Sequence, residues 1–268
     1  MSFYGDSLQI ALFMAMTCEL RALGYKETSC NLTDIAIDVF GDDMKIQCQR
    51  NDELKSTIHF VFEKEDDDDV DSSSSCQKVV IAFVRPINKP PWTTLEEVDT
   101  SMKELAEYAT NKEKGGGQGE GFVHIYNWGV HCKGRNVKCL WNHVEETLLP
   151  YATSDQYQNW TFLYNEHDPQ HFNLPGGGYD PKLFENPESD KKCTAIKDDD
   201  KADNWRNEEV VKILDYYNLT ERVKIIPQFD DLVPLWQLHF GFDCTHYCYN
   251  PLRYDLTWDR LLKTLKQV

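Results

Sequence analysis

The feature that most narrows the fold is a change of hydrophobic period, repeated along the whole chain. Residues 8–23 are apolar nearly all round at helical spacing, which predicts a buried helix that Gly24 is placed to end. Alternating apolar positions predict strands at 34–40, 44–48 and 57–62. The run 79–84 is continuously apolar and rich in β-branched residues, the pattern of a strand covered on both faces, and Pro86, Pro90 and Pro91 end it. Thr94 and Glu97 form a capping box ahead of Leu95, Val98, Met102, Leu105 and Ala109 at helical spacing. Strands at 122–126, 159–164 and 223–226 then alternate with helices at 137–149 and 208–217. This succession predicts a three-layer α/β fold with a mainly parallel sheet. With no repeat and no clean boundary, residues 1–268 read as one domain, interrupted by an acidic, serine-rich flexible insertion at 63–75.

In such sheets ligands bind outside the carboxyl ends of the strands. Three segments fall at that edge: the Gly5-Asp6-Ser7 turn between the first strand and helix, Asn127 with Trp128-Gly129-Val130-His131, and the polar stretch 166–172 with His171. Ser7 stands at a strand end and a helix start, where backbone N–H groups and the helix dipole favour an oxyanion. By itself Gly5-Asp6-Ser7 reads as a turn and helix cap sooner than as a nucleophile. The glycines at 115–121 precede a strand rather than a helix, which argues against a phosphate loop.

The formal charge of −17 excludes nucleic acid and anionic membrane as partners, since both require a basic face. Two acidic runs, 63–71 and 198–203, read as solvated loops without the spacing of a calcium loop. Nine cysteines, scattered rather than paired at zinc-finger spacing, read as mostly disulfides with one left over. Sequons at Asn31, Asn159 and Asn218 point to the same oxidising, glycosylating compartment. The apolar run 10–16 falls far short of the roughly 20 residues that span a bilayer and has no basic flank. The chain begins inside its first strand, so an upstream segment carrying any membrane anchor is expected.

Near the end stands Asp243-Cys244-Thr245-His246-Tyr247-Cys248, ahead of Pro251 and a helix with Trp258, Leu261, Leu262 and Leu265. Asp and His three apart on one side of a turn offer a base and the carboxylate that assists it. The same residues also read as a disulfide-braced turn with a surface histidine. A third reading is a zinc site of Cys244, His246 and Cys248, which lacks a fourth ligand.

Taken together, these segments resemble the PC-esterase group, including the plant trichome-birefringence-like proteins, of the GDSL/SGNH hydrolase superfamily. The opening block of that family is similar to Gly5-Asp6-Ser7-Leu8 followed by Cys18, and its closing block to 243–248, Pro251 and Leu256-Thr257-Trp258. Tyr126-Asn127-Trp128-Gly129 is similar to its Phe-Asn-x-Gly-His segment. Pro169-Gln170-His171-Phe172, with Gly176-Gly177-Gly178 and Cys193, is similar to its Ser-x-x-His-Phe region. The chain departs from the pattern at Val130, with His131 one place beyond the expected histidine, at Pro169 in place of serine, and at Tyr247 in place of tryptophan.

The resemblance implies an SGNH-like (flavodoxin-like) catalytic domain with a Ser7–His246–Asp243 triad. It implies an oxyanion hole made by the Ser7 N–H and the Asn127 side-chain amide. Trp128, Gly129, His131 and His171 are then candidates for substrate contact, with Trp128 as a sugar platform or a core residue. The implied activity is O-acetylation of sugar hydroxyls on a polysaccharide or glycoconjugate through an acyl-serine. Hydrolysis of O-acyl esters by the same triad, or a non-catalytic lumenal glycan-binding role, are the alternatives. The expected partners are a glycan acceptor and an acetyl donor, acetyl-CoA or another, with no bound metal or cofactor and a Golgi or other secretory-pathway location.

Overall fold

The computed structural model describes residues 1–5, 7–31, 49–50, 58–63, 78–84, 94–110, 122–180, 192–197, 200–240, 243–248 and 250–268. The strands expected at 34–40 and 44–48, the insertion beyond Glu63 and the glycine loop 115–121 lie outside these residues. The class is α/β, with parallel strands flanked by helices, as the alternation of periods predicts. The chain divides into two compact units, one of Met1–Ile125 with Thr153–Thr161 and one of Tyr126–Ala152 with Phe162–Val268.

In the first unit, β1 (Ser2–Tyr4) runs parallel to β5 (Lys78–Val84), with Phe3 opposite Phe83. Its strands follow the order β3-β2-β4-β5-β1-β6, where β2 is Lys26–Asn31, β3 Gln49–Arg50, β4 Ile58–Glu63 and β6 Phe122–Tyr126. β4 is antiparallel to both β2 and β5. β2 was not expected, because Lys-Glu-Thr-Ser-Cys-Asn shows no apolar alternation; its strand state comes from pairing with β4. Phe3, Leu12, Phe13, Ile81, Val98, Met102 and Leu105 make the core.

Helix α1 (Ser7–Ala22) follows β1 closely. Its expected burial holds for Leu8, Leu12, Phe13, Ala15 and Leu20, whereas Cys18, Arg21 and Ala22 are exposed. Gly24, at φ 85°, ends it: the Tyr25 N–H donates to the Leu20 carbonyl at 3.0 Å and the Gly24 N–H to Arg21 at 3.0 Å. Helix α2 (Leu95–Thr110) opens with the expected capping box, the Thr94 N–H donating to Glu97 Oε2 at 2.7 Å and the Glu97 N–H to Thr94 Oγ1 at 3.2 Å.

In the second unit, β7 (Trp160–Asn165, of which Phe162 onward belongs to it) and β8 (Val223–Ile226) are parallel, with Tyr164 opposite Ile225. The helix expected over 137–149 is two, α3 (Val137–Thr147) and α4 (Leu149–Ala152). Pro150 has no N–H to carry an α-helical bond through the junction. Helix α5 (Trp205–Tyr216) starts three residues before the expected 208. A short α6 (Phe229–Leu232) precedes the antiparallel pair β9 (His239–Phe240) and β10 (Asp243–Tyr247), and α7 (Pro251–Leu265) closes the chain. Asn250 caps α7, its side-chain oxygen accepting from the Leu252 N–H at 3.0 Å.

Disulfides join Cys132 to Cys139 and Cys193 to Cys244. Among the described residues Cys18, on the exposed side of α1, and Cys248 are both free, where one spare cysteine was expected. The acidic run at 198–203 is not wholly solvated either. Asp203 is largely covered, accepts from Arg135 Nη2 at 2.8 Å, and packs where a Cβ on Gly178 would stand.

Candidate functional site

Ser7 heads α1 in the first unit; Asp6 and the Ser7 side chain lie outside the described residues. The other candidate residues belong to the second unit. Asp243 and His246, predicted as a local pair, meet on β10: His246 Nδ1 lies 2.5 Å from Asp243 Oδ2. Asp243 Oδ1 accepts the backbone N–H groups of Thr245 and His246, each at 3.1 Å. Both side chains are partly exposed. Burial acts to raise the Asp243 pKa, and the charge and hydrogen bonds of His246 outweigh it, so the carboxyl is held below its ordinary value. An ionised carboxylate on Nδ1 fixes the tautomer in which Nε2 carries the lone pair, which is what a general base requires.

Asn127 follows β6 and is 1% exposed. Its Nδ2 donates to the Asn165 carbonyl at 2.8 Å, while Oδ1 has no hydrogen-bond partner among the described residues. Half of the amide's donor capacity therefore ties 127 to the end of β7. Trp128 is 6% exposed and stacks on His143 with ring centroids 4.0 Å apart. That placement is core packing; the exposed ring beside it is His131, 5.6 Å away. Gly129, at φ 142°, lies under His167, whose Nε2 would stand 2.9 Å from a Cβ there. Arg206, from the first turn of α5, donates its Nε–H to the Gly129 carbonyl at 2.8 Å.

His171 is fully buried. Its ring joins that of His239 at 2.6 Å, Nδ1 to Nε2. Its backbone is knitted to the same hairpin, the His171 N–H donating to the Cys244 carbonyl at 3.0 Å and Gln170 Nε2 to Thr245 Oγ1 at 2.8 Å. Pro169 and Tyr247, two positions at which the chain departs from the pattern it resembles, touch each other: the Tyr247 hydroxyl donates to the Pro169 carbonyl at 3.2 Å.

Beneath this loop the polar stretch 166–168 enters a buried polar layer whose partners the sequence did not announce. Asp168 accepts from Arg253 Nη2 of α7 and, at 2.8 Å, from Gln228 Nε2; Arg253 and Asp168 are each only 2% exposed at the side chain. Glu166 Oε2 accepts the N–H groups of Gln228 and Phe229 at 2.9 Å, capping α6. Asn207 Oδ1 accepts from the Tyr164 hydroxyl and the His167 N–H, both at 2.8 Å. These partners stand 40 to 85 residues apart, so spacing carries no signal of them; His239 in particular had no motif around it.

Cys244 is bonded to Cys193 and offers no thiolate, which removes the reading of Cys244, His246 and Cys248 as zinc ligands. Among the described residues no group of three or more His, Cys, Asp or Glu side chains is arranged to hold a metal ion. Compared with models of known protein families and with curated proteins, the chain matches none. Two disulfides fit an oxidising environment of the secretory pathway. No helix among the described residues is long and apolar enough to cross a membrane.

Proposed function

We propose that the chain is a serine-dependent O-acyltransferase that acetylates sugar hydroxyls of a polysaccharide or glycoconjugate in the Golgi lumen or another secretory-pathway compartment. The observation that carries this reading is the Asp243–His246 contact, a carboxylate on Nδ1 of a half-exposed histidine. His246 Nε2 takes the proton from Ser7 Oγ as the Ser7 Oγ–C bond to the acetyl donor forms, and returns it to the donor's leaving group. A sugar hydroxyl then attacks the acyl-serine, His246 takes its proton, and Ser7 leaves with that proton restored. The donor is acetyl-CoA or another acetyl carrier. In this reading the oxyanion hole is made of the Ser7 N–H and the Asn127 amide hydrogen that Asn165 does not hold, a donor type whose loss cost roughly 10²- to 10³-fold in another serine enzyme. With water as acceptor, the same steps give an esterase.

The test is labelling by a fluorophosphonate probe of protein expressed in an oxidising lumen. The wild type should label and Ser7→Ala should not; equal labelling of both removes Ser7 as nucleophile. Mass spectrometry of candidate glycans after incubation with an acetyl donor then separates transfer from hydrolysis and from binding alone.

A further inference from the structure

The rings of His171 and His239 pose a count that two neutral imidazoles do not satisfy. Nε2 of His171 faces the Val233 carbonyl at 2.8 Å, and Nδ1 of His239 faces the His246 carbonyl at 3.0 Å. A carbonyl only accepts, so both outer nitrogens carry hydrogen. Nδ1 of His171 and Nε2 of His239 are then both lone pairs in the neutral rings, yet they meet at 2.6 Å. Two lone pairs at that separation repel. The contact becomes a hydrogen bond only when a third proton lies between them.

We propose that His171 and His239 hold one shared proton, carry a single positive charge between them, and act as a positioning pair for His246. The chain of bonds runs from the Val233 carbonyl through both rings to the carbonyl of His246 itself, so the shared proton fixes the backbone from which that side chain projects. This role rests on reading His246 as the base; the proton count does not.

The surroundings act on that charge in both directions. Asp168, beside His171, and Asp243, beside His239, favour protonation, while Arg253 and His246 oppose it at His239. Tyr247 closes the pair, its ring 4.1 Å from His239 and 6.3 Å from His171. Burial is the largest influence and lowers both rings, His171 to about 4, with the bond to Val233 and Asp168 acting against it. Burial admits one charge with difficulty and excludes a second. The pair therefore titrates as a unit, taking up one proton as pH falls.

The experiment is long-range proton–nitrogen NMR of the full chain with ¹⁵N-labelled histidine, from about pH 8 to about pH 3. The expected result is uptake of one proton by the two rings together, with both outer nitrogens protonated and a slowly exchanging inner N–H. Uptake of none or of two, or an outer nitrogen without hydrogen in the protonated pair, overturns the proposal. His239→Asn keeps an amide donor for the His246 carbonyl but has no second, titratable nitrogen to share a proton. Its probe labelling at Ser7 should lose the pH step that the wild type shows on deprotonation of the pair, and His171→Gln should lose the same step. A wild-type step that survives in both variants overturns the positioning role. Failure of Ser7 to label in wild type overturns the acyltransferase reading and leaves the NMR count standing as its own test.

Discussion

Asp243 holds His246 at two places: one carboxylate oxygen accepts from the ring Nδ1 at 2.5 Å and the other from the His246 backbone N–H at 3.1 Å. Asp243→Asn separates the two roles. An asparagine oxygen still accepts the backbone N–H groups, but its amide presents a donor to the ring and stabilises the tautomer with Nε2 protonated. Acyl transfer should fall by roughly 10³- to 10⁴-fold with little change in thermal stability. Turnover and melting temperature measured together check this; unchanged turnover in a folded variant removes Asp243 from the mechanism.

Acid should destabilise the second unit through its buried histidines. Burial lowers His143 to about 3, and burial with the charge of Arg206 lowers His167 to about 3. In the unfolded chain each titrates near about 6.5. Between those values the unfolded state binds protons that the folded state refuses, so stability is complete above about 6.5 and falls as pH drops toward 3, by up to about 1.4 kcal/mol per pH unit for each ring. Chemical denaturation across that window should show the slope. His143→Phe, which keeps a ring against Trp128, should reduce it by one proton; an unaltered slope contradicts the assignment.

The Cys193–Cys244 bond should matter to both stability and activity, because Cys244 adjoins Asp243 and its carbonyl receives His171. A crosslink spanning 51 residues restricts the unfolded chain by about 4 kcal/mol in the loop-entropy account. Paired Cys193→Ser and Cys244→Ser changes should lower stability by an amount of that order. The short Cys132–Cys139 loop, with a separation of 7, should contribute less. Urea denaturation of the two pairs of variants ranks them, and a larger loss from the short loop contradicts the argument.

What was legible in the sequence was local. β6 and β8 were read with correct bounds, since each is a short, mainly apolar run, stopped by Asn127 in one case and by Pro227 in the other. The capping box and the Asp243–His246 contact span three residues and need no tertiary information. β2 was illegible because its polar residues become a strand only beside β4. The first turn of α5 was missed for another reason: Arg206 and Asn207 are buried there by hydrogen bonds to Gly129 and His167 rather than by an apolar stripe. His239 had no local signal, since its meaning depends on a ring 68 residues away.

Gly129 tests whether its segment contacts substrate or only spaces the core. A Cβ there would stand 2.9 Å from His167 Nε2 and 3.0 Å from Leu140 Cδ1, both on buried side chains, and its φ of 142° is one that alanine adopts only with strain. Gly129→Ala must therefore displace His167, Leu140 or the backbone that receives Arg206. Overpacking of this kind costs about 1–3 kcal/mol, and the φ adds about 1–3 more. The expected outcome is a lower melting temperature, with any loss of turnover matched by loss of folded protein. Were the variant as stable as wild type yet inactive, the glycine would serve the substrate directly, and the loop from Asn127 to His131 would belong to the binding surface rather than to the packing beneath it.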